Sequence, residues 1–300
     1  MGVPVMAATI ERRLLVNYRV EADVVARLLP EPFRPMTLGG YAVAGICLIR
    51  LSGLRPTTAP GRVGFTSENA AHRVAVEWDT DQGVAQGVYI PRRDTSSRLT
   101  TLAGGRLFPG VHHRARFRVE EAGGRYRVAL ASLDGGVDVW VAAALADDLP
   151  GGSVFGSLAA ASRFFEQGSV GWSVTRRPGV YHGVELRTPG WRIEPARIEA
   201  VTSSFFDDPQ RFPPGTAVPD SALLMRNLAS EWHSHGRLTS RPPAPRVAAR
   251  PARLFGNPTV IATHTSFPLR HPVAMTIGWS LLLLAIFVPL SAWRYQTADR

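Results

Sequence analysis

Arginines and a histidine pair cluster in one segment, YIPRRDTSSRLTTLAGGRLFPGVHHRARF, at residues 89–117. Arg106 carries a planar guanidinium, which clamps a carboxylate through two parallel donors. His112 and His113 exchange protons near neutral pH, so either is a candidate proton donor or acceptor. Because adjacent strand residues point to opposite faces, only one of the two histidines faces any one cavity. The segment is a candidate binding site for a small anionic or carbonyl ligand, and a hydrogen-bonded structural histidine pair is the alternative.

A second polar group lies in the run SENAAHRVAVEW. Glu68 and His72 are candidates for lining the same cavity, and Glu77 is expected to pair with Arg73. Their spacing fits no metal-binding motif, so no metal site is predicted. The residues RRD at 92–94 predict a solvated turn in which Asp94 caps the following helix.

Several classes of chemistry find no support in the sequence. There is no phosphate-binding loop, no dinucleotide fingerprint after a strand and no nucleophile elbow. We therefore expect no cofactor. All 34 basic residues are arginine, so no side-chain primary amine exists to form a Schiff base. Cys47, the only cysteine, lies in an apolar run and is expected to be a small buried residue.

The 300 residues are 45% hydrophobic, which predicts a folded protein, and they carry a net charge of +10. This charge is unevenly distributed along the chain. Residues 237–270 contain six arginines and no acidic residue. Since the excess charge is concentrated in this stretch rather than on the folded body, no nucleic-acid partner is predicted.

The first 235 residues alternate strand-like runs with turn residues, which favours an α+β domain with a dominant, mostly antiparallel sheet. Helices are predicted at 21–30 and 153–168, and a short one after Asp94. Strands are predicted at 13–20, 41–51, 72–78, 83–90, 112–119, 125–133, 138–145, 170–175, 184–188, 192–206 and 222–232.

The C-terminal part has a different composition. Residues 236–270 predict a basic linker rich in Pro, Ala and Arg, and residues 271–300 a membrane helix with a short tail. Val273 to Trp293 contains no charged residue and, as a helix, is roughly 31 Å long, which matches a hydrocarbon core of about 30 Å. The arginine-rich linker predicts a single-pass protein of the inner (plasma) membrane, with the main domain in the cytoplasm and lipid as a partner.

Four separated motifs carry a resemblance to a known family: SENAAHRVAVEWD, GVYIPRRDTSSR, GGRLFPGVHHRARF and SSFFDDPQRFPPGTAVPDSALLMRNLASEWH. Across roughly residues 8–235 the chain resembles the YqjF-like family of uncharacterised bacterial proteins, a domain of unknown function in the acetoacetate decarboxylase-like superfamily. The resemblance implies an antiparallel β-barrel-like fold with flanking helices around a central cavity.

The resemblance also implies which activity is lost. Gly105, Arg106, Pro109 and Gly110 resemble the lead-in to the lysines of the decarboxylases, with the order of the last two changed. His112 and His113 stand approximately where those lysines occur. Because imidazole forms no iminium with a keto acid, Schiff-base decarboxylation is predicted to be absent.

The last 45 or so residues resemble the final span of an ABC-type drug-export permease. Three functions therefore stay open. The leading one is non-covalent binding of a small anionic or carbonyl ligand. The second is lyase or hydrolase chemistry on a small organic acid through histidine and arginine, and the third is an accessory role in an export system. A permease partner and homo-oligomerisation are both compatible with this reading.

Overall fold

A computed structural model describes residues 4–59, 64–103 and 109–240 of the chain. Within these ranges there are three helices and thirteen strands. The helices are α1 (Ala22–Leu28), α2 (Arg98–Ala103) and α3 (Leu158–Gln167). The strands are β1 (Met6–Glu21), β2 (Arg34–Pro35), β3 (Thr37–Leu38), β4 (Tyr41–Pro56), β5 (Phe65–Thr80), β6 (Gly83–Thr95), β7 (His113–Ala122), β8 (Arg125–Ser132), β9 (Asp138–Leu145), β10 (Val170–Val174), β11 (Val180–Arg187), β12 (Glu194–Ser203) and β13 (Ala217–Thr239).

Each predicted strand and helix overlaps an element of the structure, so the mostly strand character is confirmed. Several strands are longer than predicted, because their hydrogen-bonded pairing continues beyond the apolar run. β13 is the clearest case. It pairs with β11 as far as Thr239, so residues 236–239 are strand and not the start of a linker.

The strands of the described part close into two rings that share one wall. The shared wall is β13–β1–β4–β5–β6. The smaller ring is completed by β10 and β11, since β11 pairs back with β13. The larger ring is completed by β7, β8, β9 and β12. Most pairings are antiparallel, and β6 makes parallel contacts with β7 and β10.

Both faces of the shared wall are buried, against different hydrophobic clusters. In β1, Leu14 and Val16 belong to a first cluster and Leu15 to a second. In β4, Ile46 and Cys47 divide in the same way, because successive side chains of a strand point to opposite faces. The first cluster includes residues of β8 and β9, and the second includes residues of α3.

Helix α3 covers the second cluster. The Ser157 hydroxyl caps it by accepting a hydrogen bond from the Ala160 backbone N–H, and Gly168 ends it. Ala161 and Phe165 are its buried residues. The helix thus brings an aromatic ring to the smaller ring of strands.

The predicted membrane span, Val273 to Trp293, and all but the first few residues of the predicted linker lie outside the described residues. Among the helices of the described part, none is long and apolar enough to cross a membrane.

Candidate functional site

A cavity of about 300 Å³ lies at the smaller ring of strands. Each of the seven strands of that ring contributes to its wall, and α3 contributes Phe165. The described lining is largely apolar, with a few polar side chains that converge on the space. This is the usual composition of a small-molecule site.

Three arginines line the cavity: Arg13 of β1, Arg73 of β5 and Arg93 of β6. Among the described residues, none of the three has a carboxylate within ion-pair distance. Arginines at such positions are normally paired, because an isolated buried charge is strongly unfavourable. The cavity wall therefore carries concentrated positive charge.

Arg73 is the most buried of the three, with 3% of its surface exposed. Its Nη2 donates to the Asn17 side-chain oxygen at 2.5 Å, and its guanidinium lies 4.7 Å from the centre of the Phe165 ring. Its Nε and Nη1 have no hydrogen-bond partner among the described residues. Burial lowers the pKa of Arg73 from 12.5 to about 10, so it remains cationic at neutral pH.

Arg13 and Arg93 are half-buried. Arg93 Nε donates to the Ser173 hydroxyl at 2.8 Å, and burial lowers its pKa to about 10. The Arg13 side chain donates to two sulfur atoms, with Nε 3.4 Å from Cys47 Sγ and Nη1 3.6 Å from Met225 Sδ. Cys47 is buried, as predicted.

Two carboxylates also belong to the lining, and neither neutralises the three arginines. Asp94 is buried and bound by Arg92, whose Nη2 lies 2.8 Å from Asp94 Oδ1. Glu166 of α3 is exposed. The prediction of a solvated turn at residues 92–94 is wrong. These residues continue β6, and Asn69 of β5 pairs opposite Thr95.

Asp94 does not cap α2 either, because its carboxylate is committed to Arg92 and to the Ser132 hydroxyl. The Ser97 hydroxyl has the capping role instead, since it accepts a hydrogen bond from the Thr100 backbone N–H.

The two histidines have different surroundings, and only His113 belongs to a strand, because β7 begins there. His112 lines the cavity, whereas His113 Nδ1 lies 2.7 Å from the Asp134 carboxylate, outside the cavity lining. Burial, followed by the nearby charge of Arg93, lowers the pKa of His112 to about 3. His112 is therefore a neutral imidazole at physiological pH.

Only glycine fits at position 110, two residues before His112. Gly110 has a φ of +85°, and a Cβ there would lie 2.5 Å from Ser173 Cβ. This close approach places Pro109 and His112 on the cavity wall beside β10. Gly105 and Arg106 lie outside the described residues, so the predicted clamp by Arg106 stays a prediction.

Glu68 belongs to a separate cluster of charges and is not part of the cavity lining. Its carboxylate binds Arg12 at 2.5 Å and Arg50 at 2.7 Å. Arg12 also binds Glu121, and only 1% of its surface is exposed. Arg12 thus has two carboxylate partners, whereas Arg73 has none among the described residues.

His72 is fully buried on the opposite face of β5 from Arg73, and it is likewise not among the cavity-lining residues. Its ring packs against Phe205 with 4.6 Å between centroids, and burial lowers its pKa to about 3. Glu77 pairs with Arg34 at 2.7 Å rather than with Arg73. Among the described residues, no group of three or more His, Cys, Asp and Glu is arranged to hold a metal ion.

Arg13, Arg73 and Arg93 were not predicted as site residues. One signal was present: Arg13 and Arg73 each interrupt an apolar strand, in RRLLV and HRVAV. A charged residue inside such a strand needs a partner or a ligand. The partner of Arg12 is visible in the structure, whereas the guanidinium of Arg73 faces the cavity.

The fold places the protein among the acetoacetate decarboxylase-like structures. The chain is similar to an acetoacetate decarboxylase-like enzyme from Sphingomonas wittichii RW1, with 12% identity, a TM-score of 0.51, and coverage of 80% of this chain and 95% of that one. It is also similar to the acetoacetate decarboxylase from Legionella pneumophila, with 12% identity, a TM-score of 0.50, and coverage of 80% and 90%. At this identity the similarity shows the fold alone.

Residues 7–223 match the model of DUF2071, described as an uncharacterized conserved protein, and the chain belongs to that family. No curated protein matches the chain. The match ends before the C-terminal segment, and no comparison supports the resemblance of that segment to a permease.

Proposed function

We propose that the cavity binds a small organic anion, non-covalently, through Arg13, Arg73 and Arg93. The observation that carries this proposal is a set of three guanidiniums on one cavity wall that have no carboxylate partner among the described residues. An anionic ligand supplies the missing counter-charge. A carboxylate is favoured because the planar guanidinium matches its two oxygens.

His112 completes the proposed site as a neutral hydrogen-bonding group. Its low pKa makes it a weak base at neutral pH, and general acid–base catalysis works best with a pKa near the working pH. Binding is therefore favoured over lyase or hydrolase chemistry by His112. Turnover of a carbonyl acid that disappears in His112→Ala and survives in His113→Ala would establish the enzymatic alternative.

The test is ligand binding to the full-length protein, measured by native mass spectrometry and calorimetry with acetate, pyruvate, benzoate and octanoate. Loss of a hydrogen bond to a charged group costs about 1.5–3 kcal/mol, so Arg73→Met and Arg93→Met are each expected to weaken binding about 10- to 100-fold. Arg34→Met is the matched control, because Arg34 is paired with Glu77 away from the cavity. If no carboxylate binds, or if both cavity variants bind as the wild type does, the proposal is wrong.

The membrane location is a separate proposal that rests on the sequence of residues 273–293 alone. An uncharged stretch of this length supports a single span, with the folded domain in the cytoplasm. Carbonate extraction of the full-length protein is expected to leave it in the membrane pellet, and Leu283→Arg to release it. Extraction of the wild type into the supernatant would refute anchoring. Co-purification with a permease would favour the accessory role.

A further inference from the structure

The cavity wall changes character along the strands. At one end lie the three arginines and His112. At the other end the wall is apolar, and neighbouring strands bring its residues together: Met6 of β1 is opposite Trp232 of β13, and Trp232 is opposite Leu186 of β11. Leu51 and Leu54 of β4 belong to the same apolar end. The cavity therefore has a cationic end and an apolar end.

The volume of the cavity sets the size of the ligand. The volume of about 300 Å³ equals only about ten water molecules, at roughly 30 Å³ each. A ligand that fills this space therefore has about ten non-hydrogen atoms.

The apolar end has few groups to offer a polar ligand. Trp191 and Thr188 line the cavity, but their polar atoms already have protein partners. The Trp191 indole N–H donates to the Ser162 hydroxyl at 2.9 Å, and the Thr188 hydroxyl lies 3.0 Å from that of Ser230. Ser169 and Ser234 add two hydroxyl groups to this part of the lining, and the rest of its surface is hydrocarbon, which favours an alkyl chain.

We infer that the ligand is a medium-chain carboxylic acid of about eight carbons. This inference rests on the proposed function, because the three arginines hold the carboxylate. The alkyl chain then extends between Leu51 and Leu186 toward Trp232. Eight carbons and two oxygens are ten heavy atoms, which matches the ten water volumes of the cavity.

The test is a chain-length series with the full-length protein. Dissociation constants are measured by calorimetry for acetate, butyrate, hexanoate, octanoate and decanoate, below their micellar concentrations. Each buried methylene is expected to tighten binding about fourfold, and the gain is expected to stop near eight carbons. Octanol and octylamine, which lack the carboxylate, are expected to bind at least tenfold more weakly than octanoate.

A variant locates the chain within the cavity. Leu186→Trp fills the apolar end, so it is expected to weaken octanoate at least tenfold and to leave butyrate unchanged. Leu133→Trp is the matched control, since Leu133 is exposed and is not part of the cavity lining. Circular dichroism confirms that each variant is folded, and the wild-type series stands independently of both.

The outcomes separate this inference from the proposed function. Tight butyrate binding with no dependence on chain length would overturn the medium-chain ligand and leave anion binding intact. Octanol binding as tightly as octanoate, or binding of no acid at all, would overturn both.

Discussion

Replacing Arg73 with methionine is expected to make the ligand-free protein more stable while it weakens anion binding. Most substitutions of buried residues destabilise a protein. Arg73 should be an exception, because its charge is buried without a carboxylate partner in the described structure. Methionine retains much of the volume and is flexible enough to pack against Phe165.

The magnitude follows from three terms. Lowering the pKa of Arg73 from 12.5 to about 10 corresponds to about 3–4 kcal/mol of unfavourable charge burial, at about 1.4 kcal/mol per pH unit. Methionine removes that term. It also leaves the Asn17 oxygen without its donor, at a cost of about 1–2 kcal/mol, and exchanges the cation over Phe165 for a sulfur contact of similar strength. The net expectation is about 2 kcal/mol of stabilisation.

The assay is urea unfolding of the full-length protein without added ligand at pH 7, followed by fluorescence. Arg12→Met is the matched control. Arg12 is equally buried, but it binds Glu68 and Glu121, so its loss leaves carboxylates without their partner. That variant is expected to lose about 3–5 kcal/mol.

The difference in stability between the two variants tests whether the charge of Arg73 lacks a counter-charge in the ligand-free protein. If Arg73→Met loses as much stability as Arg12→Met, the charge of Arg73 is already compensated in the ligand-free protein. The argument for a missing anion would then fail. The sign of the effect is independent of pH up to about pH 9, because Arg73 stays protonated in both the folded and the unfolded chain.

Three further predictions concern other residues. His72 has a folded pKa of about 3 and an ordinary value of 6.5, so its imidazole binds a proton more strongly in the unfolded chain. The free energy of unfolding is therefore expected to fall by about 1.4 kcal/mol per pH unit from pH 6.5 toward pH 3. Urea unfolding at pH 7, 5.5 and 4 measures this slope, and His72→Leu should remove the part that His72 contributes. Glu68→Gln is expected to destabilise the protein by about 3 kcal/mol, because Glu68 binds the buried Arg12. Octanoate affinity, measured by calorimetry, is expected to stay unchanged, because this ion pair lies away from the cavity. A change in that affinity would show that Glu68 belongs to the binding site. Borohydride with pyruvate is expected to add no mass to any internal peptide of the wild type, whereas Arg73→Lys is expected to acquire a reducible adduct.

The elements were predictable because turn residues and β-branched runs alternate along the chain. β9 is an example: DVWVAAAL is bounded by Gly136 and by the acidic turn after Leu145, and it forms a strand over the predicted residues. The ends of long strands were less predictable. The polar residues at the end of β13 contain no apolar pattern, and their pairing with β11 fixes them in the sheet.

The site was harder to predict, because the shared wall is buried on both faces. In a sheet with one solvated face, polar residues mark the outside. In β5, Val74 and Ala75 are both buried, in different clusters, so the alternation that separates inside from outside is absent. His72 and Arg73 are neighbours in this strand, and no local pattern shows which of them faces the cavity. The distinction depends on which elements close each ring.

Because the chain contains no lysine, burial of its basic side chains at the cavity has a different chemical consequence from burial of a lysine. Desolvation lowers the pKa of any buried base, and it does so for Arg73 and Arg93. A lysine at such a position would move toward neutrality and become a nucleophilic amine, the group that Schiff-base chemistry requires. An arginine starts from a higher pKa, so after the same shift it is still a cation at neutral pH. In this chain, burial at the cavity therefore supports retention of an anion rather than covalent attack on a carbonyl.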